Sequence, residues 1–459
     1  MVCKKTFDAL EGARKLFFVG IGGISMSSIA FVFKSKGYDV SGSDRAQSDM
    51  TRKLISAGIP VFHGHDARNV GDADAVIYTG AVNEQNPEIA EAMKREIPLI
   101  YRADALGYMM MKYKTRIGVS GSHGKSTCTA MTSHILIASG KDPTVMCGAE
   151  TAEMGGAYRV GEREDFVFEA CEYKDSFLGF FPSVAVVLNI DLDHTDYFTG
   201  GIEQIKQSFR KYAIIALSEQ GGAVVANADD ENTADALKGL AVTTFGIKAK
   251  ADFRAENISY RDGRAEFDIV KGGELFCHTH LSVPGEHNIY NALAAAASCY
   301  HAGVDACDIA AYLSDFTGLS RRFERKGSVG GAGVYIDYAH HPKELKAAVA
   351  AAKGICRGSL ICVFEPHTYS RTYSLFDEFA ASFEGADRII FTDIYAAREV
   401  NTYGVSSEAL AAATPGGEYA PSYEEAAQMI RASVKNDDTV LILGAGTVNE
   451  IAYLLTSNE

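Results

Sequence analysis

Short apolar runs alternate with amphipathic stretches through the first hundred residues. Runs at 16–19, 38–41, 61–62, 75–78 and 99–100 predict parallel strands, with helical periodicity between most of them. The same alternation returns further along. Residues 117–119 predict a strand followed by a helix over 128–137, and 166–168 and 184–188 predict two more buried strands. An alanine-rich helix is expected over 292–299. Strands are then expected at 334–336, 360–364, 388–392 and 440–443, with a helix starting at about Tyr373. No internal repeat and no low-complexity linker interrupts the pattern.

One run imitates a membrane span. Residues 16–33 carry no charge and follow Arg14 and Lys15, but Gly20, Gly22, Gly23, Ser25, Ser27 and Ser28 lie inside them. That interior predicts a buried strand, a glycine turn and a helix. Composition agrees with a folded globular chain of about three domains, since 47% of the 459 residues are hydrophobic. The formal net charge of -15 disfavours a general binder of nucleic acid or anionic membrane. Nine cysteines without a C-x-x-C pair suit a reducing cytoplasm.

The chemistry collects at strand ends. Gly121-Ser-His-Gly-Lys-Ser-Thr127 joins a predicted strand to a predicted helix, where Gly121 and Gly124 let backbone N–H groups approach phosphate oxygens. Lys125 can reach the outer phosphates and Ser126 can ligate Mg²⁺. The strict Walker spacing would put its first glycine at Val119, so the loop departs from that pattern by one residue. After the strand at 166–168, Glu169 and Glu172 are either Mg²⁺ ligands or a solvated strand end. After the strand at 184–188, residues 189–196 hold Asp191, Asp193, His194 and Asp196, a second side for a metal site.

Weaker signals flank this centre. Gly20-Ile21-Gly22-Gly23 begins a dinucleotide-type fingerprint, with Ser43 and Asp44 closing the next strand; it is either a diphosphate-sugar or dinucleotide site or a tight turn. Asn288 and Asn291 share a helical face and can offer amides to a base edge or cap the helix. Arg322 is a phosphate clamp or a surface ion-pair partner. The glycine-rich break at 327–333 is taken as the second domain boundary. The expected architecture is therefore α/β in three domains: a Rossmann-like 1–107, a central P-loop ATPase-type 108–325 and a Rossmann-like 326–459.

Together these motifs resemble a known family. Gly-Ile-Gly-Gly, Gly-Ser-His-Gly-Lys-Ser-Thr, Glu-Ala-Cys-Glu-Tyr, Asp-His-Thr-Asp, His-Asn-Ile-Tyr-Asn, Arg-Arg-Phe-Glu and Asp-Tyr-Ala-His-His-Pro occur in the order seen in Mur ligases, across the whole chain. Within that family the chain is most similar to the branch that adds the first amino acid in peptidoglycan synthesis. The resemblance implies ATP-dependent joining of L-alanine to the lactyl carboxylate of UDP-N-acetylmuramate through an acyl phosphate, with Mg²⁺.

It also implies roles for particular residues. Gly20, Ile21, Gly22, Gly23, Ser43 and Asp44 would hold the UDP-sugar. Gly121, Ser122, His123, Gly124, Lys125, Ser126, Thr127, Asn288, Asn291, Arg322 and Asp337 would hold ATP, and Ser126, Glu169 and His194 would hold the metal. Lys125, His194, Arg322, His340 and Arg371 would serve catalysis, with the C-terminal domain closing over ATP and binding the amino acid. Two departures from the family pattern stand out. Phe209 occupies the position where several Mur ligases carry a carbamylated lysine, and Thr368 stands where many relatives have arginine. Rival readings are a ligase joining a recycled tripeptide to the same sugar, a nicotinamide-dependent oxidoreductase, and a nucleotide-binding paralogue without chemistry. No nucleic acid or membrane partner is expected, and monomer and homodimer both stay open.

Overall fold

The computed structural model describes residues 4–457 apart from 152 and 196. It is a three-domain α/β protein, and its strands are numbered here in chain order. β1 (Lys15–Val19), β2 (Asp39–Asp44), β3 (Val61–His63), β4 (Ala75–Tyr78) and β5 (Leu99–Tyr101) form a parallel sheet in the order β3-β2-β1-β4-β5. The central strands are buried on both faces, which is why they read as unbroken apolar runs. Leu16 and Phe18 join the large core on one side, while Phe17 and Val19 pack on the other with Val76 and Ile89. The uncharged run at 16–33 divides as expected into β1, a glycine turn and the helix Ile24–Ser35. Among the described residues no helix is long and apolar enough to cross a membrane.

The central strands are β6 (Thr115–Ser120), β7 (Thr144–Thr151), β8 (Gly156–Arg159), β9 (Asp165–Glu169), β10 (Val184–Val187), β11 (Ala223–Asn227) and β12 (Thr243–Gly246). They lie in the order β12-β11-β10-β6-β9-β7-β8. β6 runs parallel to both β9 and β10, so the loops leaving these three strands emerge at one carboxyl edge, where α/β proteins bind ligands. Phe209, at the expected carbamyl-lysine position, is fully buried and packs edge-on against Phe177.

Next come β13 (Phe253–Arg261), β14 (Arg264–Lys271) and β15 (Glu274–Pro284), where β14 and β15 pair antiparallel. This meander alternates polar and apolar positions and lies outside the strands expected from apolar runs. A last sheet holds β16 (Glu324–Val329), β17 (Ala332–Asp337), β18 (Leu360–Phe364), β19 (Arg388–Phe391), β20 (Gly417–Tyr419) and β21 (Thr439–Leu443), in the order β16-β17-β21-β18-β19-β20. All its pairs are parallel except β16 with β17.

The chain packs into two compact units, Met1–Phe253 with Ala294–Asp308, and Arg254–Leu293 with Ile309–Glu459. The glycine-rich stretch at 327–333, expected to mark the second domain boundary, forms the hairpin between β16 and β17. Gly330 and Gly331 supply the positive φ of its turn, and Val329 and Val334 bury into the core. The helix expected from Tyr373 begins earlier, as Tyr369–Ser374 and then Phe376–Ala380. β2 runs on to Asp44, so that carboxylate stands at the strand's end.

Candidate functional site

The phosphate-loop sequence follows β6 and turns into the helix Lys125–Ala138. Gly124 sits at the helix start with φ 83°, and no side chain caps it. The first N–H groups of that helix are therefore available to an anion, with the helix dipole behind them. Gly121 has φ 141°, and a Cβ there would meet Leu188 Cβ at 2.9 Å and Asn189 N at 3.2 Å. Only glycine fits this close approach of two strand ends.

Asn189, whose role was not read from the sequence, fixes the loop. Its Oδ1 accepts from His123 N at 2.8 Å, its Nδ2 donates to His123 O at 3.1 Å, and its own carbonyl accepts from Ser122 N at 3.1 Å. Ser122 Oγ accepts from Asp191 N at 2.8 Å, and His123 Nε2 lies 3.2 Å from Asp191 Oδ2. The only local signal for Asn189 was its place straight after a buried strand.

Lys125 is held by carbonyls and a carboxylate. Its Nζ donates to Gly121 O, to Ser122 O at 3.2 Å and to Glu172 Oε2 at 3.2 Å. Burial works against the charge on Lys125, but Glu172 and then the neighbouring Cys171 and Glu169 outweigh it, so its pKa is raised. Glu172 is itself 2% exposed and pairs with this lysine. Glu172, expected as either a metal ligand or a solvated strand end, is buried and paired with Lys125, whose charged form it favours.

Glu169 ends β9 and accepts from Gly148 N, with Cys147 Sγ 3.4 Å from its Oε1 and 3.6 Å from Ser126 O. That links Glu169 to the first turn of the phosphate helix. His194 adopts φ 52°, places Nε2 3.7 Å from Glu172 Oε1, and packs on Tyr173 with ring centroids 4.7 Å apart. Asp196 lies outside the described residues.

Among the described residues no group of three His, Cys, Asp or Glu side chains is arranged to hold a metal ion by itself. Mg²⁺ bound with a nucleotide takes one or two carboxylates plus the phosphate oxygens rather than an all-protein cage. Ser126 and Glu169 are hard oxygen donors of the right kind, whereas an imidazole is a softer one.

In the N-terminal sheet, Gly20 has φ 80° and its N–H, with that of Ile21, donates to Ser43 O at 2.9 Å. Asp44 Oδ2 accepts from Gly22 N at 2.9 Å, the same distance a Gly22 Cβ would leave to that oxygen. Its Oδ1 accepts from Ala46 N at 3.1 Å. Ser43 and Asp44 therefore brace the glycine loop from β2, and Gly23 leads into the helix Ile24–Ser35.

The second unit brings together the remaining expected residues. Asp337 ends β17 and accepts from Phe323 N and Ala339 N, each at 2.8 Å, which holds the Arg321-Arg322-Phe323 turn against the sheet. Burial pushes its pKa up. Arg322 lies 5.2 Å from the ring centre of Tyr338. Arg321, which the sequence reading passed over, donates to Gly444 O at 3.0 Å and Gly446 O at 2.8 Å and so ties the turn to the loop after β21. Asn288 donates to Pro284 O at 2.7 Å and accepts from Asn291 Nδ2 at 3.1 Å, so the pair braces its own helix start.

His340 Nδ1 donates to Tyr338 O at 3.0 Å, and the ring packs edge-on with His367, which stacks on Tyr395. Arg371 Nη1 stands 3.4 Å from His367 Nδ1. Burial, then the charges of its neighbours, pulls His367 down to about 4, and burial lowers His340 as well. Burial favours the neutral form of both rings, and the charged side chains beside them are Arg371, Glu344, which lies 3.4 Å from His340 Nδ1, and Glu399. His287, on the helix that carries Asn288, is likewise brought down to about 4 by burial and Arg322.

Thr368 carries the backbone strain of this region, with φ 65° and ψ 145°. A β-branched residue there costs about 1–3 kcal/mol. It is held by its N–H on Tyr395 O at 2.9 Å and by Thr372 Oγ1 on its carbonyl at 2.7 Å. Glycine would relieve the strain and give back about 0.5–1 kcal/mol in chain entropy. Thr368→Gly is expected to raise thermal stability by about 1 kcal/mol, read by calorimetry. An unchanged or lower melting temperature would mean the strain is not real.

The comparisons with known proteins point one way. The Mur ligase family catalytic domain matches residues 15–114, the Mur ligase middle domain residues 119–299, and the Mur ligase glutamate ligase domain residues 321–446. A UDP-N-acetylmuramate–L-alanine ligase of Caldanaerobacter subterraneus subsp. tengcongensis is 45% identical over 449 residues, covering 96% of this chain and 97% of that protein. A protein of the same name from Clostridium tetani is 43% identical, covering 96% of this chain and 98% of the relative. The crystal structure of UDP-N-acetylmuramate–alanine ligase from Thermotoga maritima aligns with TM-score 0.79 at 29% identity, over 96% of this chain and 98% of that one. A murein peptide ligase from Psychrobacter arcticus, at 23% identity and TM-score 0.68, shares the fold.

Proposed function

Because this chain belongs to the Mur ligase family, we propose that it is an ATP-dependent ligase joining L-alanine to the lactyl carboxylate of UDP-N-acetylmuramate in peptidoglycan synthesis. The observation that carries the site reading is Lys125 at an uncapped helix N-terminus, held charged by the buried Glu172. The 45% identity to an L-alanine ligase over 96% of this chain favours this reading over tripeptide recycling, since the solved murein peptide ligases are 23% and 26% identical, the second over 66% of this chain. The domain limits we propose are 1–107 for the sugar nucleotide, 108–325 for ATP and 326–459 for the amino acid.

Each step needs particular groups. A carboxylate is a poor electrophile, so the lactyl oxygen attacks the γ-phosphorus of ATP and ADP leaves. The resulting acyl phosphate is then attacked at carbon by the neutral amine of alanine, and phosphate departs with the former carboxylate oxygen. Lys125 and the N–H groups of the first helical turn offset the charge on the transferring phosphoryl oxygens. Ser126, Glu169 and His194 would hold Mg²⁺, which would supply Lewis-acid neutralisation of the nucleotide phosphates. Arg322 would support the transferred group and Asp337, Asn288 and Asn291 the nucleoside. His340 and Arg371 would face the sugar nucleotide and the alanine carboxylate. Gly20, Ile21, Gly22, Gly23, Ser43 and Asp44 would hold the UDP-sugar.

An isotope experiment tests the reaction directly. With the lactyl carboxylate labelled in ¹⁸O, one label is expected in the released phosphate when L-alanine is the acceptor, and glycine, L-serine and a tripeptide should react more slowly. Unlabelled phosphate would exclude the acyl phosphate route, and faster reaction with the tripeptide would favour the recycling ligase.

A further inference from the structure

Glu88 is a carboxylate with no exposed surface in the N-terminal sheet's domain, and nothing in the reaction above uses it. It lies in the first turn of the helix Pro87–Lys94 and accepts from Ser43 Oγ at 2.7 Å, His65 Nδ1 at 2.7 Å, Asn69 Nδ2 at 2.8 Å and Asp66 N at 3.4 Å. A carboxylate taken out of water needs such a set of donors. Two of them connect it to the glycine loop. Ser43 receives the N–H groups of Gly20 and Ile21 on its carbonyl, so fixing the Ser43 side chain fixes the strand end on which the loop hangs. His65 follows β3 by two residues, and its Nδ1 is also 3.1 Å from Ser43 Oγ.

The imidazole is thus held by one nitrogen at the same carboxyl edge. Its Nε2 lies on the far side of the ring, has no hydrogen-bond partner among the described residues, and belongs to a side chain that keeps 17% of its surface exposed. A histidine that donates through Nδ1 to a carboxylate is fixed in orientation and, when protonated, donates through Nε2 as well. Arg102 brings a guanidinium to the loop, donating to Ser25 Oγ at 2.5 Å in the first turn of the helix Ile24–Ser35.

We propose that His65 is a further binding residue for the diphosphate of the sugar nucleotide, donating through Nε2. Glu88 is the positioning residue that sets this ring and, through Ser43, the loop. The inference rests on reading the glycine loop as the UDP-sugar site.

Calorimetric titration of the full chain with UDP, beside separate titration with MgATP, tests it. His65→Ala should weaken UDP by roughly tenfold to a hundredfold, the loss of one charge-assisted hydrogen bond, while leaving MgATP affinity as in the parent; it should also lower the melting temperature, since the buried Glu88 loses a donor. His65→Gln, which keeps a donor, should recover part of the loss, and Glu88→Gln should weaken UDP comparably. In turnover, His65→Ala should raise KM for UDP-N-acetylmuramate and leave kcat unchanged. UDP binding to His65→Ala at parental strength would overturn the proposal, as would a parallel loss of MgATP affinity. Failure of the parent chain to bind UDP would instead remove the glycine-loop reading on which it depends.

Discussion

Lys125→Ala is expected to lower ligation by about 10²–10³-fold or more, the cost of removing a preorganised charge aimed at a transferring phosphoryl group. The same substitution should destabilise the fold. Glu172, with its side chain 3% exposed, would lose the ammonium 3.2 Å away, and truncating one partner of a buried pair costs about 3–5 kcal/mol. The two effects are separable. In Lys125→Ala with Glu172→Gln the unpaired charge is gone, so most of the stability should return while activity stays lost. Calorimetry and phosphate release on the same preparations read both. Recovery of turnover in the double variant would reduce Lys125 to a structural partner of Glu172.

Gly121→Ala is expected to have the next largest effect. At φ 141° a side chain is strained, and the added Cβ meets Leu188 Cβ at 2.9 Å, Asn189 N at 3.2 Å and Leu188 N at 3.3 Å. Backbone atoms of a buried strand end cannot give way, so the loop must move off Asn189. KM for ATP should rise by roughly ten to a hundredfold, since small displacements of positioning groups cost that much. Gly239→Ala is the control, because its φ of 80° imposes backbone strain while nothing lies within 4 Å of the added Cβ. It should lose about 1 kcal/mol of stability with ATP kinetics unchanged. Equal KM values for the two variants would show that strain alone, not the loop's seat on Asn189, governs nucleotide binding.

Much of the fold was legible because its central strands are buried on both faces. β1, β10 and β21 read as plain apolar runs, and the helix after β6 begins with a lysine and hydroxyls that stand out against its apolar neighbours. The β14–β15 pair escapes such a reading because one face is solvated and its apolar positions only alternate. Glycine alone did not reveal the hairpin at 327–333, since a tight turn and a break between domains call for the same residue.

The candidate site divides the same way. Residue types announced Gly121, Gly124, Lys125 and Ser126, because phosphate chemistry demands them in sequence order. The groups that hold them did not announce themselves. Asn189 reaches a loop 66 positions earlier and Arg321 a loop 123 positions later, separations that no local pattern records. Asp44 and Asp337 were visible as carboxylates at strand ends, yet the structure shows them accepting backbone N–H groups and so shaping the turns beside the sites.

The central claim is a reaction that consumes ATP only when both other substrates are present. Phosphate release from MgATP, measured with UDP-N-acetylmuramate and L-alanine together and with each omitted in turn, tests it most directly. Release that requires both, with a product heavier than the sugar nucleotide by one alanyl residue, is the predicted result. ATP turnover indifferent to the sugar nucleotide or to the amino acid, or none with any acceptor despite nucleotide binding, would contradict it.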